Sequence, residues 1–333
     1  MKFELSRYVT AIRYLAAVPL ILFGLISILA TGSHGGGGGT TTTAAPSLLF
    51  SADDGVTGRE LWKSDGTAAG TALVKDINAV GPSISNGSQP AFTVFNGTLY
   101  FRADDGVNGV ELWKSDGTMA NTVMVKDINS GPISSNPGFQ DGPAVFNGAL
   151  YFSAYDGADV ELWKSDGTAA GTVLVKNINM IGFSNPAEFT VFNGELYFSA
   201  DDGTNGVELW KTDGTNTTLV KNIDSGAGSS NPVELTVFNG ELYFRATDGM
   251  NGVELWKSDG TIANTVMVKD INTVTVDSNP AELTVSNGVL YFRADDGVNG
   301  VELWKSDGTA AGTVLVKDIY PMGESLPEEL TPF

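Results

Sequence analysis

Hydrophobic and polar positions in this chain alternate in short runs cut by Gly, Asn and Asp, and the pattern recurs at a nearly fixed spacing. One period, from Pro232 to Ile271, holds four runs: Glu234 to Phe238, Glu241 to Ala246, Val253 to Ser258 and Thr265 to Ile271. Each is rich in Val, Leu, Phe, Tyr, Trp or Thr and is bounded by turn residues, which predicts four short strands. Asn239-Gly240, between the first two, supplies the positive φ angles of a two-residue hairpin. Thr247 to Gly252 joins the second run to the third, and a turn around Asp259-Gly260 joins the third to the fourth, which makes an antiparallel meander. Apolar residues fall on both faces, Leu242 and Phe244 on one and Tyr243 on the other, as expected of a sheet sandwiched between neighbours. Only the link out of the fourth strand is long, as in Asn222 to Pro232, and it fits a crossover from the outer edge of one blade to the inner strand of the next.

The stretch Gly109 to Thr118, Gly-Val-Glu-Leu-Trp-Lys-Ser-Asp-Gly-Thr, recurs in six versions that contain all six tryptophans: Trp62, Trp113, Trp163, Trp210, Trp256 and Trp304. Their separations of 51, 50, 47, 46 and 48 residues lie in the range of propellers, solenoids and arrays. The first repeat starts at Leu48 to Gly55, which matches the second strand of the unit. The chain ends Pro327 to Phe333, which matches the start of a first strand. A split blade of this kind benefits a ring, because closure leaves no free sheet edge. The expected fold is therefore all-β, a six-bladed β-propeller of four-stranded antiparallel blades closed by the C-terminal strand joining the N-terminal blade. A β-solenoid is the alternative.

The repeats resemble the bacterial repeat family named for Glu-Leu-Trp-x-x-Asp-Gly-Thr-x-x-Gly-Thr. The match is close at Glu60 to Thr71, Glu161 to Thr172 and Glu302 to Thr313; repeats two and five carry Asn121 and Asn264 in place of the last Gly, and repeat four is two residues short at Asp213 to Thr218. The resemblance covers about residues 48 to 333 and implies a surface or secreted protein, without implying an activity.

Ahead of the repeats, Lys2, Arg7 and Arg13 precede an apolar run from Tyr14 to Ala30, with small residues before Ser33. Residues 1–32 therefore read as an export signal, and attachment to a membrane through residues 14–30 is the alternative. The lipid-bearing Cys of a lipoprotein signal is replaced by Ser33. Residues 33–47 are a Gly/Thr-rich tether that holds the only histidine, His34. The repeats span 286 residues as one domain, expected to be monomeric, in the cell envelope or secreted. No cysteine is present, which excludes disulfides, thiolate metal sites and cysteine nucleophiles. With 39 acids against 19 bases, and a charge of −22 without the first 32 residues, the surface repels nucleic acid and anionic membranes.

Strand direction places the second-to-third loops and the crossovers on one rim. That rim collects Asp53, Asp54, Asp104, Asp105, Asp201, Asp202, Asp295 and Asp296, with single acids at Asp156 and Asp248. Inner strands begin there with Glu188, Glu234, Glu282 and Glu329. Several carboxylates at a channel mouth suit calcium or another hard cation, but Asp-Gly loops also need these residues for their own turns. The tryptophans, at a mid-strand position once per blade, fit packing between sheets better than sugar stacking. Lys114 and Lys126 are expected to pair with nearby acids, and the Asp65-Gly66-Thr67 turn to cap backbone amides. Arg102, Arg245 and Arg293 alternate with Ser153 and Ser199 at equivalent positions, which reads as surface variation. Departures from the repeat are few: Tyr155, the crossover from Pro137 to Pro143, and the connectors Val80 to Gln89 and Ser225 to Ser230. The sequence thus reads as a binding or interaction scaffold for a protein or carbohydrate ligand, with no catalytic residue singled out. The rivals are a calcium-dependent propeller hydrolase of phosphohydrolase type and a duplicated array without a small-molecule site.

Overall fold

Asn239 and Gly240 both take positive φ, 49° and 76°, and the same pair turns the corresponding hairpins at Asn96-Gly97, Asn147-Gly148, Asn193-Gly194 and Asn287-Gly288. These turns fold each repeat back on itself. In a computed structural model that describes residues 48–84, 91–273 and 277–333, six antiparallel sheets follow one another along the chain, five of four strands and the first of three. The export segment and tether expected over 1–47 lie outside the described residues, as does half of the connector from Val80 to Gln89, residues 85–89. The fifth sheet consists of Val233–Phe238, Glu241–Thr247, Val253–Ser258 and Val266–Lys269, joined in simple order. None of the described residues is helical.

Two apolar faces per sheet follow from the period-two alternation. Leu242, Phe244 and Trp256 pack backward against Phe192, Tyr197 and Leu209 of the fourth sheet. Tyr243 and Leu255 pack forward against Leu290, Phe292 and Trp304 of the sixth. Full burial of one Phe or Leu stabilises by about 1.5–3 kcal/mol, and each interface repeats this set. Five of the six tryptophans are core, as their mid-strand placement predicts, with Trp113 5% exposed, while Trp62 in the first sheet is half-buried.

Lys114 and Lys126 do not form the acid pairs expected of them, although two counterparts of Lys114 do: Lys211 Nζ lies 2.9 Å from Glu195 Oε2 and Lys257 Nζ 3.0 Å from Glu241 Oε2. Lys114 Nζ donates to Gly167 O (2.8 Å) and Lys126 Nζ to Thr172 O (2.8 Å), both in the following sheet, and Lys126 lies 5.7 Å from the centre of the Trp163 ring. An ammonium there satisfies carbonyls that the Asp-Gly-Thr turn leaves free, and its stem covers indole surface. The turn itself is the capping device expected: Asp65 Oδ1 accepts from Thr67 N and Thr67 Oγ1, and Thr67 Oγ1 accepts from Gly70 N. Its glycine admits the preceding sheet, since a Cβ on Gly167 would fall 2.0 Å from the Tyr100 hydroxyl.

The expected closing strand is not formed. Residues 327–333 contain no strand, and Leu48–Asp53 pairs only with Arg59–Ser64 among the described residues. Pro327 and Pro332 have no N–H to give a ladder, which weakens pairing there. Even so, the segment takes the backbone form of an inner strand. Leu326 (φ 46°) and Glu329 (φ 55°) repeat Asn279 (46°) and Glu282 (62°). Thr284 Oγ1 donates to Leu330 O (3.2 Å) as Thr190 Oγ1 does to Leu235 O (3.3 Å).

Candidate functional site

The crossovers and the second-to-third loops meet on one face, as strand direction predicts. Asp104 N donates to Ser83 O, Tyr155 N to Ser135 O, Asp201 N to Ser184 O and Thr247 N to Ser230 O. Behind these contacts lies a device that the sequence reading passed over, the Glu of each Glu-Leu-Trp. Glu111 is fully buried; its carboxylate accepts from Ile128 N (3.0 Å), Ser135 N (2.9 Å) and the Ser135 hydroxyl, all in the crossover that follows its own sheet. Glu60, Glu161, Glu208, Glu254 and Glu302 repeat the arrangement with Ser83, Ser184, Ser230, Ser278 and Ser325. Burial pushes Glu111 and Glu254 up to about 7 despite these donors. The available signal was the recurrence of Ser about 24 positions after every such Glu.

The aspartates of the rim serve their own loops. Asp105 Oδ1 accepts from Val107 N (2.9 Å) and Asn108 N (2.8 Å), and its Oδ2 accepts from Asn108 Nδ2 (2.7 Å). Asp104 accepts from Gly106 N (2.7 Å). Asp201 with Asp202 and Asp295 with Asp296 do the same, and Asp53 with Asp54 follow the pattern using Thr57. The Thr57 and Val56 amides hold the Asp54 carboxyl below its ordinary value. Among the described residues no group of three or more histidines or acids is placed to hold a metal ion.

Three of the four glutamates expected at inner-strand starts, Glu188, Glu234 and Glu282, sit at a bulge. Register shifts occur between Ala187 and Thr190, Val233 and Thr236, and Ala281 and Thr284. At this position Ala91, Gly142, Glu188, Glu234, Glu282 and Glu329 all take positive φ, between 53° and 76°. For a non-glycine residue that conformation costs on the order of 1–3 kcal/mol. The acids form a chain from sheet to sheet: Glu188 N donates to Asp141 Oδ2 (2.5 Å), Glu234 N to Glu188 Oε2 (2.7 Å) and Leu283 N to Glu234 Oε2 (3.2 Å). Desolvation, with Asp141 next, pushes Glu188 up to about 7.

At the third sheet, between the crossovers that enter and leave it, the same face opens into a cavity of about 370 Å³ lined by Ser134, Asn136, Phe139, Gln140, Ser153, Tyr155, Val160, Phe183 and Asn185, among others. Two of the departures noted in the sequence, Tyr155 and the crossover from Pro137 to Pro143, meet here; the Ser225 to Ser230 connector does not take part. Phe183, which the sequence reading did not single out, is the third aromatic. It stands where the other crossovers carry Pro82, Ser134, Ser229, Asp277 and Glu324. The Arg/Ser series is not surface variation. Arg102 is 6% exposed, and its guanidinium lies 5.3 Å from the centre of the Phe139 ring, while Ser153 is 6% exposed in the cavity wall. The side chain at the middle of the second strand points under the crossover.

No protein-family model matches the chain, and no curated protein does. Solved structures do. A puromycin hydrolase aligns at TM-score 0.45 and 14% identity over 84% of this chain. A Mycobacterium tuberculosis puromycin-hydrolysing peptidase aligns at 0.46 and 11% over 85%, and a prolyl endopeptidase at 0.45 and 11% over 78%. The chain spans less than half the length of each, 45%, 44% and 39% respectively.

Proposed function

We propose that the chain is an exported β-propeller that works as a binding scaffold, with its ligand contacts on the face formed by the crossovers and Asp-Gly loops. The observation that carries this reading is the contrast within that face. Its loop Asp and buried Glu groups accept from backbone amides and the repeated Ser hydroxyls donate to those Glu carboxylates, whereas the departures from the repeat open a cavity. Groups already satisfied hold loops in place; a scaffold held this way presents its variable positions rigidly. The ring closes in this reading with residues 327–333 completing the first sheet. The inner-strand backbone of Leu326 and Glu329 supports that, as does a first sheet with three strands, against four in the others, among the described residues.

A second reading, hydrolysis by carboxylates at the channel mouth, has one observation in its favour. Glu188 is raised to about 7 beside Asp141, a proton affinity suited to acid–base work. One experiment separates the two. The purified full chain is mixed with insoluble bacterial wall and outer-membrane fractions, and its turnover of bis-p-nitrophenyl phosphate is measured with calcium. The scaffold reading expects co-sedimentation with an envelope fraction and turnover at the rate without protein. Turnover that is lost in Glu188→Gln would overturn it in favour of the hydrolase.

A further inference from the structure

We propose that the cavity at the third sheet, between its two flanking crossovers, is a binding site for a neutral saccharide, a pyranose ring presented by an oligosaccharide or a polymer chain. This rests on the scaffold reading and names the ligand class of its face. Three departures from the repeat converge there. Tyr155 replaces the Asp found at 53, 104, 201 and 295; Phe183 replaces a polar residue or Pro; and Phe139 lies in a crossover three residues longer, from Pro137 to Phe146, than the stretch from Pro186 to Phe192. One substitution runs against local stability. Ser134, Ser229 and Asp277 each accept from the first N–H of the third strand, at Val110, Val207 and Val253, and Phe183 has no acceptor to offer Val160. Local rules broken in this way mark functional positions.

The geometry selects the ligand. Phe139 and Phe183 remain 62% and 51% exposed, an apolar surface that water does not favour. Tyr155 and Phe183 meet edge to face, with centroids 6.1 Å apart and planes at 84°, so they form a corner and not the parallel slot a flat heterocycle fills. Arg102 covers one side of Phe139, which leaves a single face for contact. A puckered ring with a C–H face and an edge of hydroxyls fits a corner of this kind. The amides of Asn136, Gln140 and Asn185 make no hydrogen bond with another described side chain or backbone group, although Asn231, the counterpart of Asn136 and Asn185, donates to Ser229 O. A primary amide offers a donor and an acceptor side by side, matching vicinal hydroxyls. No residue of the lining itself carries a charge at neutral pH, in a chain with 39 acids and 19 bases, and the Arg102 guanidinium beside it is stacked on Phe139, so the cavity wall offers a charged ligand no counter-ion of its own. The volume lies at the small end of the ~300–1,000 Å³ typical of ligand pockets, about the room for one or two sugar rings.

The test titrates the full chain by calorimetry with neutral oligosaccharides of glucose, galactose, mannose and N-acetylglucosamine, and with uncharged nucleosides. Tyr155→Asp and Phe183→Ser restore residues the repeat uses elsewhere, so both variants are expected to fold, as a thermal melt verifies. The expected result is saturable binding of at least one saccharide, weakened at least tenfold in each variant. Binding unchanged in both variants, binding of nucleosides alone, or no binding of any saccharide would overturn the proposal. Co-sedimentation with envelope material that survives in both variants would leave the scaffold reading standing without the sugar site. No co-sedimentation of the unmodified chain together with no saccharide binding would remove both.

Discussion

The Glu111 carboxylate accepts from both the backbone N–H and the hydroxyl of Ser135, 24 residues downstream, and so fastens the crossover that leaves its sheet. Three donors converge on this one buried group, counting Ile128 N. Glu111→Ala strands all of them away from water and is predicted to cost about 3–5 kcal/mol, while Ser135→Ala removes one donor and costs about 1–2 kcal/mol. Denaturant unfolding of the two variants and the double mutant checks this. The double mutant should fall short of the sum, because the residues share one network.

The same glutamates give stability a pH dependence. Desolvation raises Glu111 and Glu254 from 4.5 to about 7, against the Ser135 and Ser278 hydrogen bonds. An acid whose folded value exceeds its unfolded one holds its proton more tightly when folded. The stability it contributes is fully present below the unfolded value of 4.5 and is lost as pH rises through about 7. Tm is therefore predicted to decline from pH 4.5 to 7 through these groups, and Glu111→Gln with Glu254→Gln to flatten that decline. A melt series in buffers across the window reads it.

Much of the fold was legible because each strand has two apolar faces and each hairpin has its Asn-Gly. The strand from Val253 to Ser258 falls where the pattern of apolar residues puts it. The Glu111–Ser135 link was not legible, since a Glu in the middle of a strand reads as solvent-facing until its partner in the crossover is placed. Lys126 misled for a related reason: charge suggests an acid partner, but the acceptor is the Thr172 carbonyl of the next sheet, which no side-chain pattern shows. The cavity was half visible. Tyr155 and the long crossover broke the repeat openly, whereas Phe183 sat in a connector of variable sequence and hid its departure.

Calcium is predicted to have little effect on stability. Asp105 and its counterparts accept from the amides of their own loops, with Asp105 Oδ1 bonded at 2.9 and 2.8 Å, so a cation would have to displace those donors. Melts with millimolar calcium and with chelator should agree to within about 1 °C, since a shift requires binding to the native state. A rise of several degrees with calcium would make the rim a cation site.

Closure of the six sheets into a ring is the claim on which the presentation of a single binding face depends, and two glycines test it. Gly167 and Gly66 hold the same turn position at φ 89° and 90°. A Cβ on Gly167 would meet the Tyr100 hydroxyl at 2.0 Å, while one on Gly66 has no atom of the described residues within 4 Å. In a closed ring Tyr291 of the sixth sheet faces Gly66 as Tyr100 faces Gly167. The measurement is the unfolding free energy of Gly66→Ala and Gly167→Ala in the full chain. A closed ring predicts equal losses for both, well above the ~1 kcal/mol of a left-handed alanine. A large loss at Gly167 with only the backbone penalty at Gly66 would contradict closure.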